Sequence, residues 1–134
     1  MLSYGDDIYY YSLMDTFDAI SKRHSYRGEY TDAPVPEADL RKIVQAGIDA
    51  PSGCNAQTTS FVIIDDATLI QEISVLIGKE HLGTAKAIIV CVVNHQQVYH
   101  GMAFGPEDCA AAVENMMLAI TALGYASVWL DGCL

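Results

Sequence analysis

Basic residues are scarce in this sequence, and their scarcity argues against one large class of partner. The 134 residues contain 7 Lys and Arg against 17 Asp and Glu, which gives a formal net charge of −10 at pH 7. A protein that binds nucleic acid neutralises the phosphate backbone with a broad basic surface. We therefore expect no nucleic-acid partner for this chain.

Long apolar runs and export signals are also lacking. No apolar stretch approaches the roughly 20 residues that a membrane-spanning helix needs. The N-terminal sequence MLSYGDDIYYYSLMD carries acids where a signal peptide carries bases. We therefore expect no membrane partner and a cytoplasmic location. Because 51% of the residues are hydrophobic and only 18% are charged, the chain can bury the core of one domain.

Motifs for metal binding, redox chemistry and nucleophilic catalysis are missing as well. The four cysteines form no CxxC pair and lie at no zinc-finger spacing from a histidine. We therefore expect no metal site and free thiols in a reducing compartment at Cys54, Cys91, Cys109 and Cys133. The sequence contains no GxGxxG, Walker, HExxH or GxSxG motif. No side chain is therefore assigned an acid–base or nucleophilic role.

The pattern of apolar residues predicts helices alternating with strands. Residues 1–13 have no clear period and form an N-terminal arm or leader. Helices are predicted over 15–22, from Pro36 to the terminating Pro51, over 67–78 and over 106–124, and strands over 60–65, 85–94 and 126–132. This order indicates an α+β or α/β sandwich with helices around one central sheet.

Two of these elements carry more specific expectations about burial. The helix over 15–22 is expected to turn Phe17, Ile20 and Ala19 inward. The strand over 85–94 is continuously apolar and rich in β-branched residues, so it is expected to lie centrally with both faces covered. The helix over 106–124 is apolar nearly all round, which predicts a core or interface helix.

The stretch KRHSYRGEY, residues 22–30, concentrates the few basic residues of the chain. One interpretation is a solvated helix end, because cations are favoured at a helix C-terminus. The other is an anion clamp, in which Arg23 and Arg27 flank His24 and Ser25 and offer planar, multi-donor contacts to a phosphate or a carbonyl-rich ring. The residues alone leave both interpretations open.

Two further segments bring polar groups to chain reversals. APSGCNAQ, residues 50–57, is either an ordinary loop or a set of hydroxyl and amide groups suited to a heterocycle with mixed donors and acceptors. WLDGC, residues 129–133, follows the last predicted strand, where ligands gather in open α/β sheets and where Gly132 lets the backbone approach a flat ring. Trp129 is expected to lie in the core rather than to stack on a ligand.

Taken together and in this order, these three segments resemble the nitroreductase family of FMN-dependent oxidoreductases. The matching features are the basic turn with its serine, the PSGxNxQ loop before a strand, and the Ala-rich helix followed by LGYxSVWLDG. The resemblance runs from about residue 14 to residue 132. It implies a nitroreductase-like α-β-α sandwich with a mixed or antiparallel central sheet flanked by helices, in which residues 14–134 form one domain.

The resemblance also implies which residues bind the cofactor. The family's R-x-S-x-R/K turn holds FMN phosphate, ribityl and ring oxygens, and its positions here are Arg23, His24, Ser25 and Arg27. The family's PSxxNxQ loop lines the flavin, usually from the other subunit, through positions that correspond to Pro51, Ser52, Gly53, Asn55 and Gln57. The family's strand-end turn places backbone N–H groups near flavin N5, and its positions are Leu130, Asp131 and Gly132.

The activity implied by the resemblance is hydride transfer from NAD(P)H through flavin N5 to a nitroaromatic, quinone or similar electron-poor acceptor. The implied assembly is a homodimer with FMN at the subunit interface, in which the helix over 106–124 helps to form the contact. The alternative is a flavin-binding homologue without turnover, which would be a carrier, a sensor or a degenerate member.

The sequence departs from the family's pattern in two places. Thr58 and Thr59 stand where family members usually carry Pro-Trp or a similar aromatic after the Asn-x-Gln, which alters the packing expected beside the loop. The sequence ends at Leu134, just after the N5 turn, whereas the family continues with further helix, a last strand and basic residues that hold the FMN phosphate. We therefore expect a short or C-terminally truncated member of the family.

Overall fold

The structure, a computed structural model, describes residues 14–131. Four helices and two strands follow one another along the chain as α1 (Thr16–Lys22), α2 (Glu37–Ile48), β1 (Thr59–Ile64), α3 (Ala67–Leu76), β2 (Ile88–Val93) and α4 (Gly105–Ala122). Short 3-10 turns at Gly53–Asn55 and Glu80–Thr84 were not predicted. The predicted N-terminal arm, residues 1–13, lies outside the described residues.

Aspartate side chains cap the N-termini of two helices. The Asp15 side chain accepts hydrogen bonds from the N–H groups of Phe17 and Asp18, and Asp66 accepts one from Leu69. These bonds satisfy backbone donors that have no partner inside the helix. Pro36 lies at the N-cap of α2 instead of its first turn, and Pro106 lies in the first turn of α4 as predicted.

The two strands pair antiparallel and form one sheet with two unequal faces. Phe61 lies opposite Cys91, and both pack against the buried core beneath the sheet. The core is centred on Ile43 from α2 and on Val113, Met116 and Met117 from α4. Helices and an antiparallel sheet share this core, so the predicted α+β class is confirmed.

The opposite face of the sheet corrects one expectation. Val62, Val90 and Val92 are 50%, 38% and 51% exposed. The prediction that the strand over 85–94 is covered on both faces is therefore wrong for the described residues. A continuous apolar run cannot by itself reveal on which side the helices pack.

Two other expectations about local structure are also wrong. On α1, Phe17 and Ile20 are 83% and 52% exposed, and only Ala19 is buried. Seven residues give two turns, so the helical period hardly constrains which face turns inward. The predicted strand over 126–132 is wrong for the described residues. Its backbone pairing there is limited to one parallel bridge between Ser25 and Ser127.

Candidate functional site

The basic turn begins where α1 ends. Arg23 is the C-cap residue, and its N–H donates to the Ala19 carbonyl oxygen at 2.9 Å. The backbone then becomes extended, Ser25 forms the bridge with Ser127, and the Tyr26 N–H donates to the Ser127 oxygen at 2.9 Å. The fold thus brings the basic turn next to Ser127, two residues before the third candidate segment, although about a hundred residues separate them in the sequence.

The cations of this turn differ in how they are engaged. Lys22 Nζ lies 2.9 Å from Asp18 Oδ2, and Arg23 Nε lies 3.5 Å from Glu114 Oε1 on α4. Arg27 makes only a 3.5 Å contact from Nη1 to the Ser25 carbonyl oxygen and is exposed. Arg27 therefore has the guanidinium that is most available to an incoming anion.

Histidine and tyrosine side chains shape the rest of the turn. His24 is exposed, and its Nδ1 lies 3.0 Å from the Lys22 carbonyl oxygen. The Tyr26 hydroxyl donates to the Glu29 carbonyl oxygen at 2.8 Å, and the Tyr26 ring meets Tyr30 edge-on with centroids 5.2 Å apart. Burial, and then the neighbouring Tyr26, raise the pKa of Tyr30 above its ordinary value. These contacts fix the path of the chain beyond Arg27.

A hydrogen bond to α2 holds the segment that pairs with the basic turn. Tyr125 lies two residues before Ser127, and its hydroxyl donates to Asp39 Oδ2 on α2 at 2.9 Å. Hydrogen bonds from Lys42 and then Tyr125 lower the pKa of the Asp39 carboxyl. The same contact with Asp39 is the largest cause that raises the pKa of Tyr125. The bond therefore exists between a carboxylate and a neutral phenol at neutral pH.

The second candidate segment adopts an unusual backbone. Cys54, Asn55 and Gln57 have φ angles of 52°, 53° and 51°, in the left-handed region that L-residues seldom adopt. The Gln57 N–H donates to Ser52 Oγ at 3.0 Å and closes the loop on itself. Asn55 and Gln57 are exposed at its outer edge, so their amide groups are available to a ligand.

A buried carboxylate that the sequence analysis did not single out holds this loop. Asp108 is 6% exposed, and its two oxygens accept from the Gly53 N–H and the Thr58 hydroxyl, each at 2.7 Å. An acid in the first turn of a helix is usually explained by the helix dipole alone. The available signal was an acid two residues after Pro106, in the first turn of a helix that is apolar nearly all round.

The third candidate segment is only partly described. Leu130 is half-buried and Asp131 is exposed, whereas Gly132 and Cys133 lie outside the described residues. Trp129 is 41% exposed, so its predicted place in the core is wrong. The bridge at Ser127 lies two residues before this indole.

The loop over 51–57 does not join the other two segments. Between residues 14 and 131, no hydrogen bond or ion pair links this loop to the turn over 23–27. Both segments instead contact α4, one at Asp108 and the other at Glu114. The helix over 106–124, predicted as a core or interface helix, packs mainly against α1, α2 and both strands of its own chain.

The described part of the chain contains no cluster of three His, Cys, Asp or Glu residues that could hold a metal ion. Nor is any of its helices both long and apolar enough to cross a bilayer. Cys54, Cys91 and Cys109 are free thiols. Burial, and then the adjacent Cys109, raise the pKa of Cys91 to about 11.

Similar proteins share both sequence and fold with this chain. An Archaeoglobus fulgidus protein named "Putative NADH dehydrogenase/NAD(P)H nitroreductase" is 33% identical over 103 residues, which are 75% of this chain and 59% of that protein. A second curated relative, from Methanothermobacter thermautotrophicus, is matched over 61% of its length. The chain thus spans about three fifths of the length of these curated relatives.

Solved structures with bound FMN are among the structural neighbours. A crystal structure from Desulfovibrio desulfuricans, described as a "putative nitroreductase in complex with FMN", is 34% identical, with a TM-score of 0.72 and coverage of 88% of this chain and 69% of that one. A Bacteroides fragilis nitroreductase with bound FMN is 29% identical, with a TM-score of 0.73 and coverage of 87% and 70%. A family model described as the nitroreductase family matches residues 20–79. The chain belongs to the nitroreductase family.

Proposed function

We propose that this chain is an FMN-dependent oxidoreductase of the nitroreductase type. It would take NAD(P)H as electron donor and a nitroaromatic, quinone or similar electron-poor aromatic as acceptor. The observation that carries the proposal is the 34% identity to a structure with bound FMN across 88% of this chain. The names of the curated relatives support NAD(P)H as the donor.

The basic turn has the chemistry that an FMN phosphate requires. Arg27 is exposed with one long backbone contact, and Arg23 is held by a single 3.5 Å contact to a half-exposed glutamate. Surface ion pairs of this kind contribute little, so Arg23 can turn to a dianion at small cost. We propose that these guanidinium groups, with His24 and Ser25, bind the phosphate, ribityl and ring oxygens.

The remaining contacts would come from the other two segments. Leu130, Asp131 and Gly132 would present backbone N–H groups near the reactive edge of the ring. The Ser25–Ser127 bridge, three residues before Leu130, supports this part of the proposal. The chemistry that FMN would supply, when held by these residues, is hydride transfer from NAD(P)H to the acceptor through N5. The protein's own part is to bind and orient the ring, and we assign no acid–base side chain.

We further propose a homodimer with a cofactor site shared between subunits. The loop with Pro51, Ser52, Gly53, Asn55 and Gln57 is separate from the basic turn in its own chain, so it would serve the partner's turn. The exposed Phe17 and Ile20 on α1 support an interface on that side of the molecule. We also propose that residues 14–134 form one domain preceded by an arm, and that the protein is cytoplasmic.

Reconstitution with FMN tests the proposal. We expect the purified full chain to retain FMN after desalting and to oxidise NAD(P)H with a quinone acceptor. Arg23→Ala should weaken FMN binding about tenfold or more, because it removes a charge-assisted contact to the phosphate. Lys22→Ala is the matched control, since Lys22 is paired with Asp18 and is not assigned to the cofactor.

Each outcome of this experiment has a distinct meaning. Equal FMN affinity in Arg23→Ala and the natural chain would contradict the assignment of Arg23. Retained FMN without NAD(P)H oxidation would contradict the proposed enzymatic activity and favour the alternative, a flavin-binding homologue without turnover. A chain that retains no FMN would contradict the proposed function itself.

A further inference from the structure

An acidic side chain on α4 engages one of the two arginines that we assign to the cofactor phosphate. Glu114 Oε1 lies 3.5 Å from Arg23 Nε, and the Glu114 and Arg23 side chains are 50% and 30% exposed. Hydrogen bonds between such charged groups are typically about 2.7–2.9 Å long, so this contact is a long one. A long and partly exposed ion pair contributes little, and its arginine can exchange the carboxylate for another anion.

The charges at the basic turn decide how strongly an anion is held there. Lys22 is paired with Asp18, which leaves Arg23 and Arg27 as the guanidinium groups for the phosphate. Arg27 has only a 3.5 Å contact to a backbone oxygen, whereas Arg23 faces the negative charge of Glu114. One of the two positive charges is therefore already opposed by a carboxylate of the same chain.

The FMN phosphate and the Glu114 carboxylate would compete for Arg23. A phosphate monoester carries nearly two negative charges at neutral pH. If Arg23 turns to the phosphate, Glu114 loses its partner. If Arg23 stays with Glu114, it offers the phosphate a neutralised pair instead of a free positive charge. In both cases the carboxylate weakens the binding of the phosphate.

We propose that Glu114 determines how strongly this chain prefers FMN to a flavin without a phosphate, because it competes with the phosphate for Arg23. This role rests on the proposed function, which takes Arg23 as a phosphate-binding residue. Removal of the Glu114 charge therefore strengthens FMN binding. Riboflavin has the same ring and no phosphate, so its binding does not depend on Glu114.

Flavin titrations of the full chain without FMN test this competition. FMN and riboflavin are the two probes, and quenching of their fluorescence gives each dissociation constant at low ionic strength, where charges are weakly screened. Glu114→Gln should bind FMN about three- to tenfold more tightly and change riboflavin affinity by less than about twofold. Glu114→Ala should act in the same direction. Equal strengthening for both flavins would overturn the proposal.

Glu72 on α3 provides the matched control. It is exposed and takes part in no ion pair among the described residues, and α3 carries no residue assigned to the cofactor. Glu72→Gln removes the same charge from a chain with a formal net charge of −10. It should change FMN affinity by less than about twofold, because the charge is remote from the turn. Strengthening equal to that of Glu114→Gln would mean a general charge effect and would overturn the proposal.

The Arg23→Ala background shows whether Glu114 acts through that arginine. There Glu114→Gln should change FMN affinity by less than about twofold, because no guanidinium remains to compete for. The full strengthening in that background would overturn the competition.

The natural chain separates this role from the proposed function. If the natural chain binds FMN and Glu114→Gln binds it equally or more weakly, the role of Glu114 is overturned and the proposed function stands. If the natural chain binds neither flavin, both are overturned.

Discussion

Cys54, Asn55 and Gln57 have left-handed backbone angles. Asparagine tolerates this conformation, but for Cys54 and Gln57 it costs about 1 kcal/mol or more each. Contacts outside the loop offset this cost. The Gly53 N–H is fixed by Asp108, and the Gly53 α-carbon lies against the Phe104 ring. A side chain at position 53 would therefore disturb the loop at the point where it is held.

Substitution Gly53→Ala tests this close approach. An added Cβ would lie 2.5 Å from Phe104 Cδ2 and 2.9 Å from its Cγ, so the ring or the loop must move. We expect a loss of about 1–3 kcal/mol in the free energy of unfolding, measured by urea denaturation. In a Phe104→Ala background the same substitution should cost less, because only the 3.0 Å approach to the Cβ of residue 104 remains. An equal cost in both backgrounds would contradict the steric explanation.

The thiol of Cys91 should be slow to alkylate. With a pKa of about 11 it is about one hundredth thiolate at pH 9, whereas an ordinary thiol is largely ionised there. Iodoacetamide labelling followed by mass spectrometry should modify the exposed Cys54 at least about tenfold faster. Unfolding in urea should remove the difference. Equal rates in the folded chain would show that Cys91 is not protected.

At the scale of single elements, α2 shows how one helix separates core from surface. Ile43 is 2% exposed and packs with Met116 and Met117, whereas Ile48, one and a half turns later, is 51% exposed. The helical period of the sequence places both residues in one apolar stripe. The stripe is wider than the surface that α4 covers, so its last member remains in solvent.

These two isoleucines form a matched pair of substitutions. Ile43→Ala should lower the free energy of unfolding by about 2–5 kcal/mol, because it leaves a cavity in the core. Ile48→Ala should change it by less than about 1 kcal/mol. Chemical denaturation of both variants measures the difference. Similar losses would mean that Ile48 is also covered in solution, as it would be by a partner subunit.

The elements that the sequence predicts well are those with strong local signals. α4 has a proline and two acids in its first turn and is followed by Gly124 at φ 84°, so its bounds differ from the predicted ones by only one or two residues. The strand over 126–132 fails because pairing depends on a distant partner. The prediction of burial on α1 fails because the packing of neighbouring elements, and not the helical period, selects the face that turns inward.

At the scale of the whole molecule, the three predicted segments of the candidate site fall into two separate groups. The loop over 51–57 forms one group, and the other two segments form the second. The turn over 23–27 and the segment from Ser127 are adjacent, which spacing along the chain could not reveal. Asp108 was missed because a buried carboxylate in a first helical turn resembles an ordinary dipole-stabilising acid.

Mixing two variants tests whether each cofactor site is shared between subunits. Arg23→Ala and Asn55→Ala should each bind FMN weakly when alone. Co-expression should restore strong binding in about one quarter of the sites, because half of the randomly paired dimers are mixed and each has one intact site. Absorbance of retained FMN after desalting measures this fraction. No restoration, when each variant folds, would place both residues in the same chain's site.

The two hydrogen bonds to Asp108 have a consequence for how the molecule opens. They tie the beginning and the end of the loop to the first turn of α4. Breaking either bond leaves a buried carboxylate short of a donor, so we expect the loop and that helical turn to open in one step. Hydrogen exchange should then show them as a single cooperative unit, whose amides share one opening free energy while the sheet beneath stays closed.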